Sequence, residues 1–317
     1  MLVGAFDVGG TKTIIALANS DGTVLLKKQF PTNTRDCLEH LEYCCDVFLQ
    51  LLAENGSSVG QVEGIGVNLP GLVDKKQGIL IKAVYAGWNN VPVGSFLQKK
   101  LNVPHIFCEN DVNSCAIGEL CFGLGRKYAS FGWMTVSTGV GGALVCNRKL
   151  IRGAHGNAGE IGHLKVEYDQ PRSCPCGGKG CLEAHGSGTA LNRLIEERIR
   201  SDAVFRAAFD SGVKPDGASC AALAKAGNPV ACEIFECLGR YLGRGIAHYV
   251  NLLDPEAVII GGGVSASLDF LMPGILAALA SDVFSPMRNV KILPTALGYE
   301  AALMGAIALA TWEENDK

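Results

Sequence analysis

Between Gly156 and Glu183 the chain reads GNAGEIGHLKVEYDQPRSCPCGGKGCLE, with a histidine, three cysteines and two isolated glutamates in a short window. Cys174, Cys176 and Cys181 stand among Pro175, Gly177, Gly178 and Gly180, which break regular structure and let a tight loop fold its thiolates towards one point. Tetrahedral zinc needs four nitrogen or sulfur ligands, and His163, from the end of an expected strand, can complete the set with the three cysteines. A disulfide plus a spare thiol is the alternative. Thirteen cysteines, an odd number, and no sign of secretion favour the metal. A closed Cys3His centre leaves no position for water, so the chemistry falls to the groups it holds in place. Glu160 lies three residues before His163 and Glu183 two residues after Cys181, both among glycines and apolar residues rather than in a charge run. That setting suits a polar pocket for hydroxyl groups.

Other stretches offer complementary chemistry. LVGAFDVGGTKTIIALANSDGTVL is an apolar strand, a Gly9-Gly10 turn and a second strand ending at the Asp21-Gly22 hairpin signal. Gly9 and Gly10 admit a phosphoryl group close to backbone amides, Thr11 adds a hydroxyl, and Asp7 can orient Mg2+ through water. The Gly-Lys-Ser/Thr ending of a P-loop is absent. PHIFCENDVNSCAIGELCFG brings Glu109, Asn110, Asp111 and Asn113 to the junction of a buried strand and a helix. One helix cap needs fewer polar groups than these four. FGWMTVSTGVGGALVCNRKLIRG repeats the strand, glycine-rich turn, strand pattern, with Thr138 and Gly139 as donors for a polyphosphate. EAVIIGGGVSAS ends a buried strand in a turn where Gly261, Gly262 and Gly263 would admit a flat ring, and it lacks G-x-G-x-x-G spacing.

The elements that must carry these groups read as α/β. Helices are expected over Thr34–Asn55, with Leu38, Leu41, Cys45, Phe48 and Leu52 on its apolar face, over Ser187–Arg200, over Ala231–Leu253 and over Glu300–Trp312. Val204–Asp216 is expected to be an exposed connection. Trp88 is expected to be packed, and VEGIGVNLPGLVD to be a strand running into a Pro70-Gly71 turn. A net charge of −3 gives no electrostatic ground for a nucleic-acid surface. No apolar run approaches the roughly 20 residues that span a bilayer, and Met1–Phe6 has no basic flank of a signal peptide. A cytoplasmic protein with reduced thiols is therefore expected, in which Cys44, Cys45, Cys115, Cys232 and Cys237 serve as small core residues.

GEIGH followed by CPCGGKGCLE, together with DVGGTKT, ENDVN and STGVGGA, resembles the repressor, open reading frame and kinase family of sugar kinases over nearly the whole chain. Where many relatives have glycine, this chain has Ser137 and Ala143. The resemblance implies a two-domain actin-like ATPase fold of ribonuclease-H type, with a cleft between the domains and a zinc knuckle. A smaller domain is expected over 1–113 and a larger one over 114–299, with a helix at about 300–317 returning to the first. In the family, the aspartate matched by Asp111 is the general base, and the residues matched by Gly71, Asn110, Glu160, His163 and Glu183 meet the sugar, the histidine also binding zinc. Asp7, Gly9, Gly10, Thr11, Lys12, Thr138, Gly139, Gly262 and Gly263 match nucleotide positions, the last two at adenine and ribose.

The activity implied is ATP-dependent phosphorylation of glucose at its 6-hydroxyl, with Mg2+ and structural Zn2+, in a homodimer. N-acetylmannosamine and N-acetylglucosamine kinases share the motifs. A sugar-sensing repressor is the alternative of another class; it needs an amino-terminal helix-turn-helix, and here the phosphate hairpin begins almost at Met1. A non-catalytic sugar binder is disfavoured by the intact Asp111.

Overall fold

The structure, a computed structural model, describes residues 1–83, 86–209 and 212–312. The chain opens with β1 (Leu2–Val8), β2 (Lys12–Asn19), β3 (Val24–Pro31), α1 (Cys37–Glu54), β4 (Val62–Leu69), β5 (Leu72–Asp74), β6 (Ile79–Ala83) and β7 (Trp88–Val91). Next come α2 (Val93–Leu101), β8 (Ile106–Asn110), α3 (Asp111–Phe122), β9 (Phe131–Val136), β10 (Val140–Cys146) and β11 (Lys149–Ile151). The remainder is α4 (Leu182–Gly186), α5 (Gly188–Ser201), α6 (Ala203–Ala207), α7 (Gly217–Lys225), α8 (Pro229–Leu253), β12 (Ala257–Gly261), α9 (Leu268–Asp282), β13 (Lys291–Pro294) and α10 (Ala301–Leu309).

Two compact units divide these elements. The first comprises Met1–Ala129, Asn147–Ala158 and Thr295–Lys317, and the second Ser130–Cys146 and Gly159–Pro294. In the first, a sheet runs β3-β2-β1-β4-β8, antiparallel among β1, β2 and β3 and parallel from β1 through β4 to β8. Its central parallel strands β1 and β4 are largely apolar because both faces are covered. Phe6, Ile15, Phe48, Ile65 and Val67 are buried in one cluster beneath α1, while Val3, Ala5 and Ala16 meet Leu303 and Ile307 of α10. Asp36 caps α1 by accepting the Glu39 amide, so the helix starts later than Thr34. Leu38, expected on its buried face, is 45% exposed, because the buried stripe runs through Leu41, Cys44, Phe48 and Leu51.

Asn113, the expected domain boundary, lies in the first turn of α3, and the helix continues through it to Phe122. It stays with the first unit because it packs closely on α10: a Cβ on Gly118 would lie 2.8 Å from the Gly305 nitrogen. Of the helix expected to about 317, α10 accounts for Ala301–Leu309, and residues 313–317 lie outside the described residues.

In the second unit β10, β9, β12 and β13 are neighbours in that order; β10 is antiparallel to β9, and β9, β12 and β13 are parallel. Asn228 caps α8, Pro229 fills its first turn, and Asp254 ends it in the left-handed region at φ 44°. Helices α8 and α9 pack at glycine distance, a Cβ on Gly239 reaching within 2.1 Å of the Leu271 carbonyl oxygen. The stretch Gly263–Asp282 is, among the described residues, long and apolar enough by length and composition to cross a membrane, although Asp269 and Pro273 interrupt its apolar run. Here it is a 3₁₀ turn and α9, with Leu271, Ile275 and Leu279 buried in the core. The connection expected to be exposed over Val204–Asp216 instead contains α6, because Phe205 is an apolar anchor at 1% exposure; positions 210 and 211 lie outside the described residues.

Candidate functional site

In the first unit the polar candidates gather at the carboxyl ends of parallel strands, where ligands of open α/β sheets bind. The register places Asp7 of β1 opposite Asn68 of β4, and Asn68 opposite Glu109 of β8. Asn68 Nδ2 is 3.5 Å from Asp7 Oδ1 and also donates to the Ala302 carbonyl of α10. Burial raises the Asp7 pKa, opposed by the Asn68 hydrogen bond and the Lys12 charge. Burial, and then the charges of Asp111, Asp7 and Glu119, push the Cys115 thiol well up, so this cysteine is an inert neighbour of both aspartates. Asn68 is the one polar residue in the buried run GIGVNL, a signal legible in the sequence.

Gly9, Gly10 and Thr11 form the β1–β2 turn, closed by Gly9 N donating to Lys12 O at 3.0 Å. Asn110 is the cap of α3. Its Oδ1 accepts the Val112 and Asn113 amides at 2.9 and 3.1 Å, and its Nδ2 donates to Gly71 O at 3.0 Å. Gly71 sits at φ 121°, and a Cβ there would come 2.2 Å from the Lys82 carbonyl oxygen, so no other residue fits this approach. Asp111 follows at the first helical position, where its Oδ1 accepts the Val112 amide at 3.0 Å and the helix amino terminus favours its negative charge. Glu109 completes the group: Oε2 accepts Arg152 Nε at 2.7 Å, and Oε1 accepts the Asn110 amide and Asn113 Nδ2. Arg152 lies near the end of the stretch that carries the second glycine-rich turn, 43 residues from Glu109, and nothing in the local spacing joins the two. Trp88 is packed as expected, donating Nε1–H to Thr34 O, and Asn89 is exposed.

The second unit carries the other candidates. Thr138 and Gly139 occupy the β9–β10 turn, tied to the start of α5 by Gly188 N on Ser137 O at 2.7 Å and Thr189 Oγ1 on Thr138 O at 2.8 Å. Gly262 and Gly263 follow β12; Ser265 Oγ donates to Gly262 O, and a Cβ on Gly263 would meet nothing within 4 Å, so space remains beside it.

One ligand atom from each of His163, Cys174, Cys176 and Cys181 lies within 4.8 Å of the others. Cys176 Sγ to Cys181 Sγ is 3.7 Å and Cys174 Sγ to His163 Nδ1 is 3.8 Å, against an edge of about 3.8 Å for a tetrahedron of zinc–sulfur bonds. The residues fit a zinc ion. Burial pushes the Cys174 thiol up to about 12, and the Gly178 amide pulls Cys176 down; a bound dication would hold them as thiolates. His163 stands in a 3₁₀ turn, Ile161–His163, rather than at a strand end, since Gly162 lies against the Val140 carbonyl and the chain bends there. Its Nδ1 faces the sulfurs while Nε2 lies 3.8 Å from Glu160 Oε2, so a metal ion and the carboxylate would meet different nitrogens. Glu183 lies in α4, with Oε1 4.0 Å from Cys174 Sγ and Oε2 accepting the Val140 amide at 3.2 Å. Lys165, two residues after His163 and outside the cysteine motif, brings Nζ to 2.9 Å from Cys181 Sγ.

The chain is similar to known proteins over nearly its whole length. A glucokinase of Halalkalibacterium halodurans is 31% identical, the match covering 98% of this chain and 94% of that protein. The crystal structure of a ROK family glucokinase from Streptomyces griseus in complex with glucose and AMPPNP matches with a TM-score of 0.81 and 30% identity, over 98% of this chain and 99% of that one. A ROK family transcriptional regulator, a homolog of E. coli MLC protein, matches with a TM-score of 0.89 and 27% identity, over 98% of this chain and 77% of that one. The ROK family model matches residues 3–313, a span that includes every candidate residue above, and the chain belongs to the ROK family.

Proposed function

We propose that the protein is an ATP-dependent hexokinase that transfers the terminal phosphoryl group of ATP to the 6-hydroxyl of glucose. The observation that carries this reading is Asp111, a carboxylate at the head of α3 and at the carboxyl end of the parallel edge strand β8, beside the Asn110 cap and the Glu109 cluster. Asp111 is the general base. It takes the proton of the sugar hydroxyl as that oxygen bonds to the γ-phosphorus and the bond to ADP breaks, which leaves a sugar phosphate and ADP. Gly71, Asn110, Glu160, His163 and Glu183 take sugar hydroxyls, and positioning of this kind supplies much of the rate.

The Gly9, Gly10, Thr11, Lys12 turn and Thr138 and Gly139 are assigned to the phosphates, Gly262 and Gly263 to the nucleoside. Asp7 fits Mg2+, since a dication would restore the charge that burial disfavours, and the ion would spread the developing phosphate charge. A zinc ion held by His163, Cys174, Cys176 and Cys181 would orient His163 and Glu183. We further propose a homodimer in the cytoplasm.

A regulator that senses sugar without catalysis is the second reading, favoured by the likeness to the MLC homolog. A coupled assay with ATP and a panel of glucose, mannose, N-acetylglucosamine and N-acetylmannosamine decides between them. Glucose should give the highest kcat/KM. Preference for an N-acetylhexosamine would move the substrate, and no turnover on any sugar would overturn the enzyme reading.

A further inference from the structure

His40 is a buried polar residue with no part in the reading above. It lies on α1 at 2% exposure, with both ring nitrogens engaged. Nδ1 accepts the Asn33 amide at 3.3 Å, and Nε2 lies 2.8 Å from Thr13 Oγ1. A neutral imidazole carries one ring proton, so an amide donating to Nδ1 leaves that proton on Nε2. From there the chain of hydrogen bonds has one direction. Nε2–H donates to Thr13 Oγ1, Thr13 donates to Thr32 Oγ1 at 2.8 Å, and Thr32 donates to the Gly9 carbonyl at 2.7 Å. The Thr32 amide ties the same turn a second time, donating to Thr11 O at 3.0 Å. An imidazolium would set Nδ1–H against the Asn33 N–H, and burial, which lowers the His40 pKa, keeps the ring neutral.

Packing alone does not require this chain. Phe30 and Trp88 flank the ring at centroid distances of 5.8 and 6.0 Å, surroundings that an apolar ring would suit. A buried polar chain is costly unless each member is satisfied, and this one is satisfied only by ending on the turn. We propose that His40 is a positioning residue for nucleotide phosphate: through Thr13 and Thr32 it keeps the Gly9 and Thr11 carbonyls on protein donors and so holds the Gly9–Lys12 turn in one conformation. Carbonyls held in this way cannot turn their negative ends on a phosphate. The inference rests on the nucleotide role assigned to that turn under the proposed function.

Calorimetric titration with MgADP, which needs no turnover, tests it. Thr32→Val keeps the shape of the side chain and removes the last hydroxyl, and His40→Leu removes the first donor. Each should raise the MgADP Kd about 3- to 10-fold, as loss of a buried hydrogen bond does. Combining them should cost no more than the larger single change, because they break one chain. Glucose affinity should stay unchanged, and nitrogen NMR at neutral pH should find His40 as the Nε2–H tautomer. Thr11→Val, within the turn, tests the nucleotide assignment separately. Unchanged MgADP affinity there overturns the role of the turn and the relay with it. A clear Thr11 effect with Thr32→Val and His40→Leu both within about twofold of the parent overturns the relay alone, as does an Nδ1–H tautomer.

Discussion

Glu183 Oε2 accepts the Val140 amide at 3.2 Å, which joins a carboxylate assigned to the sugar to a turn assigned to phosphate. Gly139 makes the approach possible, for a Cβ there would lie 2.3 Å from that same oxygen. Gly139→Ala should therefore move the end of the Glu183 side chain while the fold stays intact. The melting temperature should change little, and kcat/KM for the sugar should fall about 10- to 100-fold, as small misplacements of a positioning group do. Unchanged kinetics would separate Glu183 from the sugar.

Asp111→Asn removes the base and keeps a side chain of similar size at the head of α3. Turnover should fall by about 10²- to 10⁴-fold, the usual contribution of a general base. Sugar binding by calorimetry should remain near that of the parent, since the hydroxyl ligands are untouched. Near-normal turnover would refute the assignment.

Glu109 and Arg152 pair at 2.7 Å with side-chain exposures of 5% and 15%. Arg152→Met would leave a buried carboxylate without its cation, which costs about 3–5 kcal/mol. Urea denaturation should register that loss, and Glu109→Gln in the same chain should recover part of it. A difference under about 1 kcal/mol would mean that water reaches Glu109 and screens it.

Elemental analysis should find about one zinc per chain, as a single Cys3His site binds. Cys181→Ser should lower zinc content and sugar affinity together, because the knuckle orients His163 and Glu183. A stable, active protein without zinc would contradict this account.

Burial lowers the pKa of both His40 and His185 from 6.5, the latter helped by the Arg172 charge. The unfolded chain thus binds more protons than the folded one below pH 6.5. The stability these rings contribute is complete above that pH and is lost as pH falls towards the folded values, by up to about 1.4 kcal/mol per pH unit for each proton. Urea midpoints measured from neutral to mildly acidic pH should follow that slope, and His40→Gln should flatten it. A midpoint constant across this range would show that neither ring is buried in solution.

Local spacing made much of the centre legible. Cys174, Cys176 and Cys181 fall within eight positions among glycines, so loop geometry alone gathers them, and His163 follows from the need for a fourth ligand. The Gly9-Gly10 turn and the Asn110 cap are likewise decided by neighbours in sequence. Tertiary structure decided the pairings between distant elements. Arg152 reaches Glu109 and Glu183 reaches Val140 across 43 residues each, and His40 reaches Thr13 across 27. The row Asp7, Asn68, Glu109 exists only because β4 lies between β1 and β8 in register. Periodicity tells which face of an element is buried and is silent on its neighbour, so these contacts wait on strand order and helix packing.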